Sequence, residues 1–213
     1  GAIAGSSGMA LTLSTGSIVT STLSSVDLLV AQGDLSMAAN AEVVADTAAR
    51  LAAEAGITLG SVTAEQVSLV AGGVISDAQD LVSGVEDGVD NVVADELKVS
   101  ADALGTGDNA LELSVDTWSA ALGESASQVI TTGRDSGDIV LGQTGAMTAS
   151  RVGSDGTTLS AVTDAAQTGL VGTGDLSWSH GETTADGITL TEDIDTEGSV
   201  SITTSGDLSM PAG

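Results

Sequence analysis

A five-residue phrase, Gly-Asp-Leu-Ser followed by Met or Trp, occurs three times in this chain, at Gly33–Met37, Gly174–Trp178 and Gly206–Met210. Successive side chains of a strand point to opposite faces, so the phrase places its apolar residues on one face and serine on the other. A chain that repeats short strands punctuated by glycine is typical of stacked strand coils and not of a compact globule. Such solenoids mostly span distance and present surface.

The interior of such a stack has to be built almost entirely from aliphatic side chains. The chain has 213 residues, with no Phe, Tyr or Cys and only two Trp, Trp118 and Trp178. Aromatic side chains bury roughly 150–250 Å² each and anchor most globular cores. Their scarcity favours a narrow interior in which Val, Ile, Leu, Ala and Met stack in rows. We therefore predict one all-β segment, a parallel β-helix, over residues 1–213.

Residues 38–56 have a local composition that favours a helix, because they are rich in Ala with Glu and Arg, and Gly56 would cap the end. However, Val43-Val-Ala-Asp46 recurs as Val92-Val-Ala-Asp95, and the second copy continues into an alternating strand pattern. The recurrence indicates that both copies have the same structural role. We therefore predict strands in both, with tertiary context overriding helix propensity.

The charge balance excludes several classes of partner. Thirty Asp and Glu face four Lys and Arg, which gives a net charge of −26. Phosphate binding requires clustered cations, so nucleic acid is excluded and binding to anionic lipid is disfavoured. Disorder is disfavoured as well, because 41% of the residues are apolar and the mean hydropathy is +0.30. Self-repulsion of this size favours a salty or calcium-bearing environment.

The ends of the chain lead to two expectations. No stretch combines a basic start with a continuous apolar core, so we predict neither a targeting segment nor membrane insertion. The strand pattern continues to the last residues without an amphipathic cap, which solenoid ends normally need. We therefore expect a segment of a longer array, or a unit that docks on its own kind.

Two acidic segments are candidates for calcium binding. Their carboxylates are Glu86, Asp87 and Asp90 in the first segment and Glu192, Asp193, Asp195 and Glu197 in the second. Calcium takes about six to eight oxygen ligands, which clustered carboxylates and turn carbonyls can supply. Neither segment fits the EF-hand loop or the nonapeptide of calcium-binding β-rolls. We predict solvated acidic turns and no cofactor, with calcium at these two segments as the alternative.

The residue types that catalysis would need are scarce. His180, the only histidine, follows Ser179 in sequence. Adjacent side chains of a strand point to opposite faces and no nucleophile elbow is present, so we predict that His180 ends a strand. Glycosidases need paired carboxylates and a site usually lined by aromatic rings. Trp118 and Trp178 are predicted to fill the interior, with sugar stacking as the alternative, and no enzyme is predicted.

Residues 43–78 and 91–121 resemble the repeats of filamentous-haemagglutinin-type surface proteins, most closely those of giant adhesin-like proteins of environmental bacteria. The resemblance lies in Val92-Val-Ala-Asp95 with its alternating continuation, and in Asn109-Ala-Leu-Glu112 after a Gly-rich turn. Leu113 stands where that family usually has Thr. The resemblance implies a right-handed parallel β-helix that is secreted and displayed at the cell surface, and it implies no catalytic residues.

Together these features predict about nine coils, at roughly twenty to twenty-five residues per coil. The expected function is a structural or adhesive segment of a bacterial extracellular surface fibre or filament. The alternative is a calcium-dependent or glycan-binding adhesin module. The expected partners are further copies in a fibre or tandem array, with a glycan of a host or neighbouring cell surface as the second candidate.

Overall fold

The computed structural model describes residues 3–78, 89–106, 109–123, 128–132, 139–150, 161–181 and 187–211. Within these ranges the chain forms strands, turns and bends, and no helix. The strands are β1 (Ile3–Ser7), β2 (Leu11–Leu13), β3 (Ile18–Ser21), β4 (Val26–Val30), β5 (Leu35–Met37), β6 (Glu42–Ala45), β7 (Ala48–Ala53), β8 (Ile57–Leu59), β9 (Ser61–Thr63), β10 (Gln66–Ala71), β11 (Val74–Asp77), β12 (Val92–Ala101), β13 (Ala103–Leu104), β14 (Leu111–Leu122), β15 (Gln128–Thr132), β16 (Ile139–Leu141), β17 (Gln143–Thr144), β18 (Met147–Ala149), β19 (Val162–Asp164), β20 (Gln167–Thr168), β21 (Leu170–Gly172), β22 (Leu176–His180), β23 (Ile188–Leu190), β24 (Ile194–Thr196), β25 (Val200–Thr204) and β26 (Leu208–Ser209).

The strands pair in parallel with strands much further along the chain. In the first ladder β1 pairs with β4, β4 with β7, β7 with β10, β10 with β12 and β12 with β14. The same ladder continues from β14 through β16 and β23 to β26. Parallel strands cannot be joined by a tight hairpin and need a long connection. Strands of other ladders supply that connection here.

Two further ladders run beside the first. The second ladder joins β3, β6, β9, the start of β12, the start of β14, and then β15, β22 and β25. The third ladder joins β2, β5, β8, β11 and β13. Strands β12 and β14 belong to both the first and the second ladder, and their pairing is interrupted at Asp95 and Asp116. Long parallel sheets in an all-β chain are compatible with the predicted β-helix.

Aliphatic side chains form in-register rows along the inside of the ladders. Leu28, Leu51, Leu69 and Val99 make one such row on the first ladder. Each of them is at most 4% exposed. Full burial of one such side chain contributes about 1.5–3 kcal/mol of transfer free energy. The predicted aliphatic interior is therefore confirmed for the described residues.

The two Val-Val-Ala-Asp copies occupy equivalent positions of the second ladder. Val43 pairs with Val62, and Val62 pairs with Val92, so the copies lie two rungs apart. The segment with helical composition forms the strands β6 and β7. Tertiary pairing therefore overrides its helix propensity, as predicted.

The Gly-Asp-Leu-Ser phrase begins strands but does not mark one position of the fold. Its three copies enter β5, β22 and β26, which lie on the third, second and first ladder. In the first copy Gly33 has φ 89°, in the left-handed region that favours glycine. A Cβ at Gly33 would also overlap the carbonyl oxygen of Met9 on the preceding rung. The phrase is thus a signal for a turn followed by a strand.

Between β16 and β21 the chain leaves the ladders and forms an arm, defined here as residues 142–150 and 161–169. Two antiparallel pairs build the arm, β17 with β20 and β18 with β19. The Gly169 N–H donates to the Gly142 carbonyl at 3.0 Å and closes the base of the arm. The alternation pattern of the sequence did not predict this arm.

Candidate functional site

A row of polar side chains crosses the outward face of the first ladder beneath the arm. In register order its members are Asp27, Arg50, Ser68, Lys98 and Ser119, and they are called the polar row below. All five are more than nine-tenths buried, although outward positions of a sheet normally face water. The arm covers them, so this face of the ladder is an interface within the chain.

Arg50 is the centre of the contact between the polar row and the arm. Its Nη1 donates to Oδ1 of Asp27 at 3.1 Å. Its Nε donates to Oδ2 and Oδ1 of Asp164 on the arm, at 2.9 and 3.2 Å. The Ser68 hydroxyl donates to Oδ2 of Asp164 at 2.6 Å. The planar guanidinium therefore holds two carboxylates at once, that of the buried Asp27 and that of the half-buried Asp164.

Lys98 provides a second anchor for the arm. Its Nζ donates to the carbonyl oxygens of Gly145 and Asp164, at 2.6 and 3.2 Å. Burial lowers the pKa of the Lys98 amine below its ordinary value of 10.5, while the carboxylates of Asp164 and Glu96 act in the opposite direction. Two of the four Lys and Arg residues of this strongly acidic chain are thus used to hold the arm on the sheet.

Further contacts spread the arm over five successive rungs of the first ladder. Near the base of the arm, the hydroxyls of Thr144 and Ser119 on β14 lie 2.6 Å apart and share a hydrogen bond. Farther along, the Ser150 N–H donates to the hydroxyl of Ser25, just before β4, at 3.0 Å. Met147 is 2% exposed between these two contacts. The arm therefore ties β4, β7, β10, β12 and β14 together.

A small cavity of about 280 Å³ remains between the arm and the sheet. Lys98 and Ser100 line it from the sheet, and Thr163 and Gln167 line it from the arm. Its volume is near the lower end of the roughly 300–1,000 Å³ range of small-molecule sites. Its two charged side chains already have partners, since Lys98 donates to two carbonyl oxygens and Asp164 pairs with Arg50, so we assign it no ligand.

An open groove of about 670 Å³ lies where the first and second ladders meet, and is called the corner groove below. One wall consists of small and β-branched side chains in register, namely Thr20, Val44, Thr63, Val93 and Ser114. The other wall lies two residues further along each rung and consists of Thr22, Asp46, Glu65, Asp95 and Asp116. The four carboxylates of this second wall are exposed and are called the acidic wall.

The acidic wall differs from the acidic turns elsewhere in the fold. Oδ1 of Asp34 accepts a hydrogen bond from the Gly56 N–H at 2.8 Å, on the next rung. Oδ1 of Asp175 likewise accepts from the N–H and the hydroxyl of Ser199, at 2.8 and 2.7 Å. Within the part of the chain that the structure describes, the side chains of the acidic wall form no such hydrogen bond and no ion pair. These four carboxylates are therefore available to a ligand.

The second predicted calcium segment lies along and beside β24. Asp193, Asp195 and Glu197 are exposed and Glu192 is half-buried. The exposed three alternate along an extended chain, so neighbouring members are about 6.6 Å apart, which is two strand rises. In the described ranges no group of three or more His, Cys, Asp or Glu side chains could hold a metal ion. Calcium binding at this segment stays a prediction.

The first predicted calcium segment falls mostly outside the described residues, which include neither Glu86 nor Asp87. Asp90 is buried, at 8% exposure. Beside it the buried Asn91 amide donates to the Gly60 carbonyl at 3.1 Å and accepts from the Glu112 N–H at 2.9 Å. The described end of this segment therefore links neighbouring rungs, and its calcium site also stays a prediction.

Both tryptophans fill the interior, as predicted. Trp118 and Trp178 are at most 1% exposed, and their rings meet edge to face with centroids 5.1 Å apart. Sugar stacking needs an exposed ring face, so that alternative is wrong for both residues. His180 ends β22 with 3% exposure, whereas the adjacent Ser179 is exposed. These two side chains point to opposite faces, as predicted.

The polar row and the acidic wall were not recognised from the sequence. A signal for the acidic wall was present, because the recurring Val-Val-Ala-Asp phrase ends in Asp46 and in Asp95. The polar row carries a weaker signal, which is the placing of Arg50 and Lys98 at outward positions of predicted strands. Only the register brings those two cations into one row.

Comparisons of the chain with protein-family models, with curated proteins and with solved structures gave no match. Among the residues that the structure describes, no helix has the length and apolarity needed to cross a membrane. The arm and the corner groove are the features of this fold that bear on its function.

Proposed function

We propose that this chain is a non-catalytic structural or adhesive segment of a bacterial extracellular surface fibre, built as a right-handed parallel β-helix of about nine coils. The observation that carries the proposal is the first ladder, whose parallel pairings run from β1 through β14 to β26. In the proposed helix each strand of this ladder belongs to one coil. Stacked at about 4.8 Å per coil, the coils form a rod of roughly 45 Å.

The interior and the arm support a mechanical role. In a solenoid each coil contacts mainly its neighbours, so coils can open one at a time. The arm adds contacts between distant parts of the chain, since Arg50 and Asp164 are 114 positions apart in sequence. It holds five rungs as one unit, which is useful in a segment that has to transmit load along its axis.

The surface supports assembly into a larger fibre. Self-repulsion from a net charge of −26 keeps rods apart side by side. In the proposed fibre, coils therefore follow one another along the axis, as tandem repeats of one chain or as stacked copies. Met9, Ile18 and Leu23 are between 62% and 79% exposed near β2 and β3 and would pack against the neighbouring unit.

Two measurements test this proposal at different levels. Small-angle X-ray scattering of the purified chain should give the cross-section of a rod, and a compact, near-spherical particle would overturn the β-helix. Electron microscopy of the native assembly, with a gold-labelled antibody against this chain, should place label along filaments at the cell surface. Label confined to other structures, around a chain that is itself a rod, would overturn the fibre while leaving the fold intact.

A further inference from the structure

The corner groove presents four like charges at one position of successive rungs. Asp46, Glu65, Asp95 and Asp116 each lie two residues beyond in-register members of the second ladder. Neighbouring rungs of a sheet are about 4.8 Å apart, so the carboxylates repel one another along the wall. Such an arrangement favours a ligand that brings several positive charges at the same spacing.

A second, independent feature of the groove also points to a ligand. Ser114 lies on the wall opposite the carboxylates and is only 6% exposed. Its hydroxyl has no hydrogen-bond partner anywhere in the described part of the chain. The hydroxyl is not sealed inside the fold but opens onto the groove, so its hydrogen-bond partner has to be a molecule or water in the groove.

The chain offers no described cation that could neutralise the acidic wall. Arg50 pairs with Asp27 and Asp164, and the Lys98 amine is bonded to carbonyl oxygens under the arm. Both cations are buried at the polar row, away from the corner groove. The neutralising charge for the acidic wall has to come from outside these residues.

We propose that the corner groove binds an extended aliphatic polyamine, with one ammonium group per rung of the acidic wall. Amines separated by three methylene groups have nearly the spacing of the rungs, about 4.8 Å. The methylenes would pack on Val44 and Val93 of the opposite wall, and one ammonium would donate to the Ser114 hydroxyl. Valine side chains offer nothing to a bare metal ion, which separates this ligand class from calcium. The site does not depend on the proposed fibre.

Isothermal titration calorimetry of the full chain with norspermidine, a triamine with three-methylene spacers, tests the proposal. The titration is run in about 150 mM NaCl, where long-range attraction between exposed charges is screened. Wild-type protein should give a saturable one-to-one isotherm. The variant Asp46→Asn, Glu65→Gln, Asp95→Asn, Asp116→Asn should bind at least tenfold more weakly.

A matched variant separates the groove from the general charge of the protein. Glu192→Gln, Asp193→Asn, Asp195→Asn, Glu197→Gln removes the same number of charges from the exposed segment beside β24. Its affinity for norspermidine should stay within about twofold of the wild type. Equal losses of norspermidine affinity in the two variants would show that the polyamine binds only through the general negative charge of the protein. That result would overturn the proposed site.

A variant that leaves the charge unchanged tests the groove wall. Ser114→Leu fills the space beside the acidic wall and should weaken norspermidine binding severalfold, with the circular-dichroism spectrum of the wild type retained. If Ser114→Leu loses that spectrum, Thr63→Leu on the same wall takes its place. Unchanged affinity in a folded variant would overturn the proposal. The proposal would also be overturned if calcium bound the wild type more tightly than norspermidine does, and if that calcium binding were lost in the variant that lacks the four carboxylates of the acidic wall.

Discussion

Arg50 donates from one nitrogen to both carboxylate oxygens of Asp164, although the two residues are 114 positions apart in the sequence. The distances are 2.9 Å to Oδ2 and 3.2 Å to Oδ1. The same guanidinium also bonds to Asp27, whose side chain is 1% exposed. One cation on an outward strand position thus joins two rungs of a ladder to the arm that crosses them.

Replacing Arg50 with Ala should strongly destabilise the fold. The change removes the guanidinium from the buried Asp27 carboxylate and removes the main contact of Asp164. Breaking a buried ion pair in this way costs about 3–5 kcal/mol. We expect a loss of that size in the free energy of unfolding, measured by urea denaturation.

Two further variants separate the ion pair from the packing. Arg50→Lys keeps the charge but cannot reach both carboxylates with a planar group, so it should lose an intermediate amount. Asp27→Asn combined with Arg50→Met removes both buried charges and should recover part of the loss, because Asp27 is then no longer a buried charge that has lost its cation. A loss below about 1 kcal/mol for Arg50→Ala would show that the pair contributes little.

The strand content and the aliphatic interior could be predicted because they depend on local alternation. The same holds for the equivalence of Val43 and Val92, since a recurring phrase tends to occupy a recurring position. Residues 48–53 show the limit of local propensity, because an alanine-rich stretch became a buried strand only through its parallel neighbours. Repetition predicted this strand, whereas composition alone would not have done so.

The arm and the corner groove could not be predicted, because both depend on register. Residues 143–149 contain short alternating stretches that resemble the strands of the stack, yet they pair antiparallel outside the ladders. Asp46, Glu65, Asp95 and Asp116 are separated by unequal stretches of sequence and align only when the strands are paired. A sequence pattern predicts the face of the sheet on which a side chain lies, but it does not predict which residue lies beside it on the next rung.

Lys98 is the only lysine of the chain, so it can report on the position of the arm. In the native protein its side chain is buried and its amine is bonded to two carbonyl oxygens of the arm. An amine-reactive ester should therefore label Lys98 slowly. Asp164→Asn removes the ion pair with Arg50 and should accelerate the labelling, as measured by mass spectrometry over time.

The labelling experiment has a control on the same chain. Asp195→Asn removes one carboxylate from the exposed face of β24, and Asp195 makes no ion pair among the described residues. Its labelling rate at Lys98 should equal that of the wild type. Equal acceleration by both variants would indicate a general charge effect, and rapid labelling of the wild type would show that the arm does not cover Lys98.

Asp175 should contribute to stability in a pH-dependent way. The N–H and hydroxyl of Ser199 donate to its Oδ1 and hold the pKa of this carboxyl below its ordinary value of 3.8. A carboxyl whose pKa is lower in the folded state stabilises the fold above its unfolded pKa, and that stabilisation is lost as the pH falls through the folded pKa. The window therefore lies below about pH 4.

Asp175→Asn tests this dependence directly. The variant should be less stable than the wild type at neutral pH, and the difference should shrink as the pH is lowered through the window. Urea denaturation at about pH 7 and about pH 3 measures both differences, and Asp193→Asn on an exposed position serves as the control. If the difference in the free energy of unfolding between wild type and Asp175→Asn does not change with pH, the Ser199 contact stabilises the fold through packing and not through the charge of Asp175.

Trp118 should be the largest single contributor to packing in its part of the interior. It is fully buried, and its ring packs edge to face against that of Trp178, with an angle of 84° between the ring planes and 5.1 Å between the ring centroids. Trp118→Ala removes a whole indole from a narrow core, and such changes cost about 3–5 kcal/mol.

The Nε1 of Trp118 has no hydrogen-bond partner among the described residues. Trp118→Phe should therefore cost only about 1–2 kcal/mol, because it loses volume but no hydrogen bond. Urea denaturation measures both losses, and the near-ultraviolet circular dichroism that arises from the ring pair should disappear in both variants. Similar losses for Ala and Phe would show that the indole ring itself, and not the filled volume, stabilises the interior at this rung.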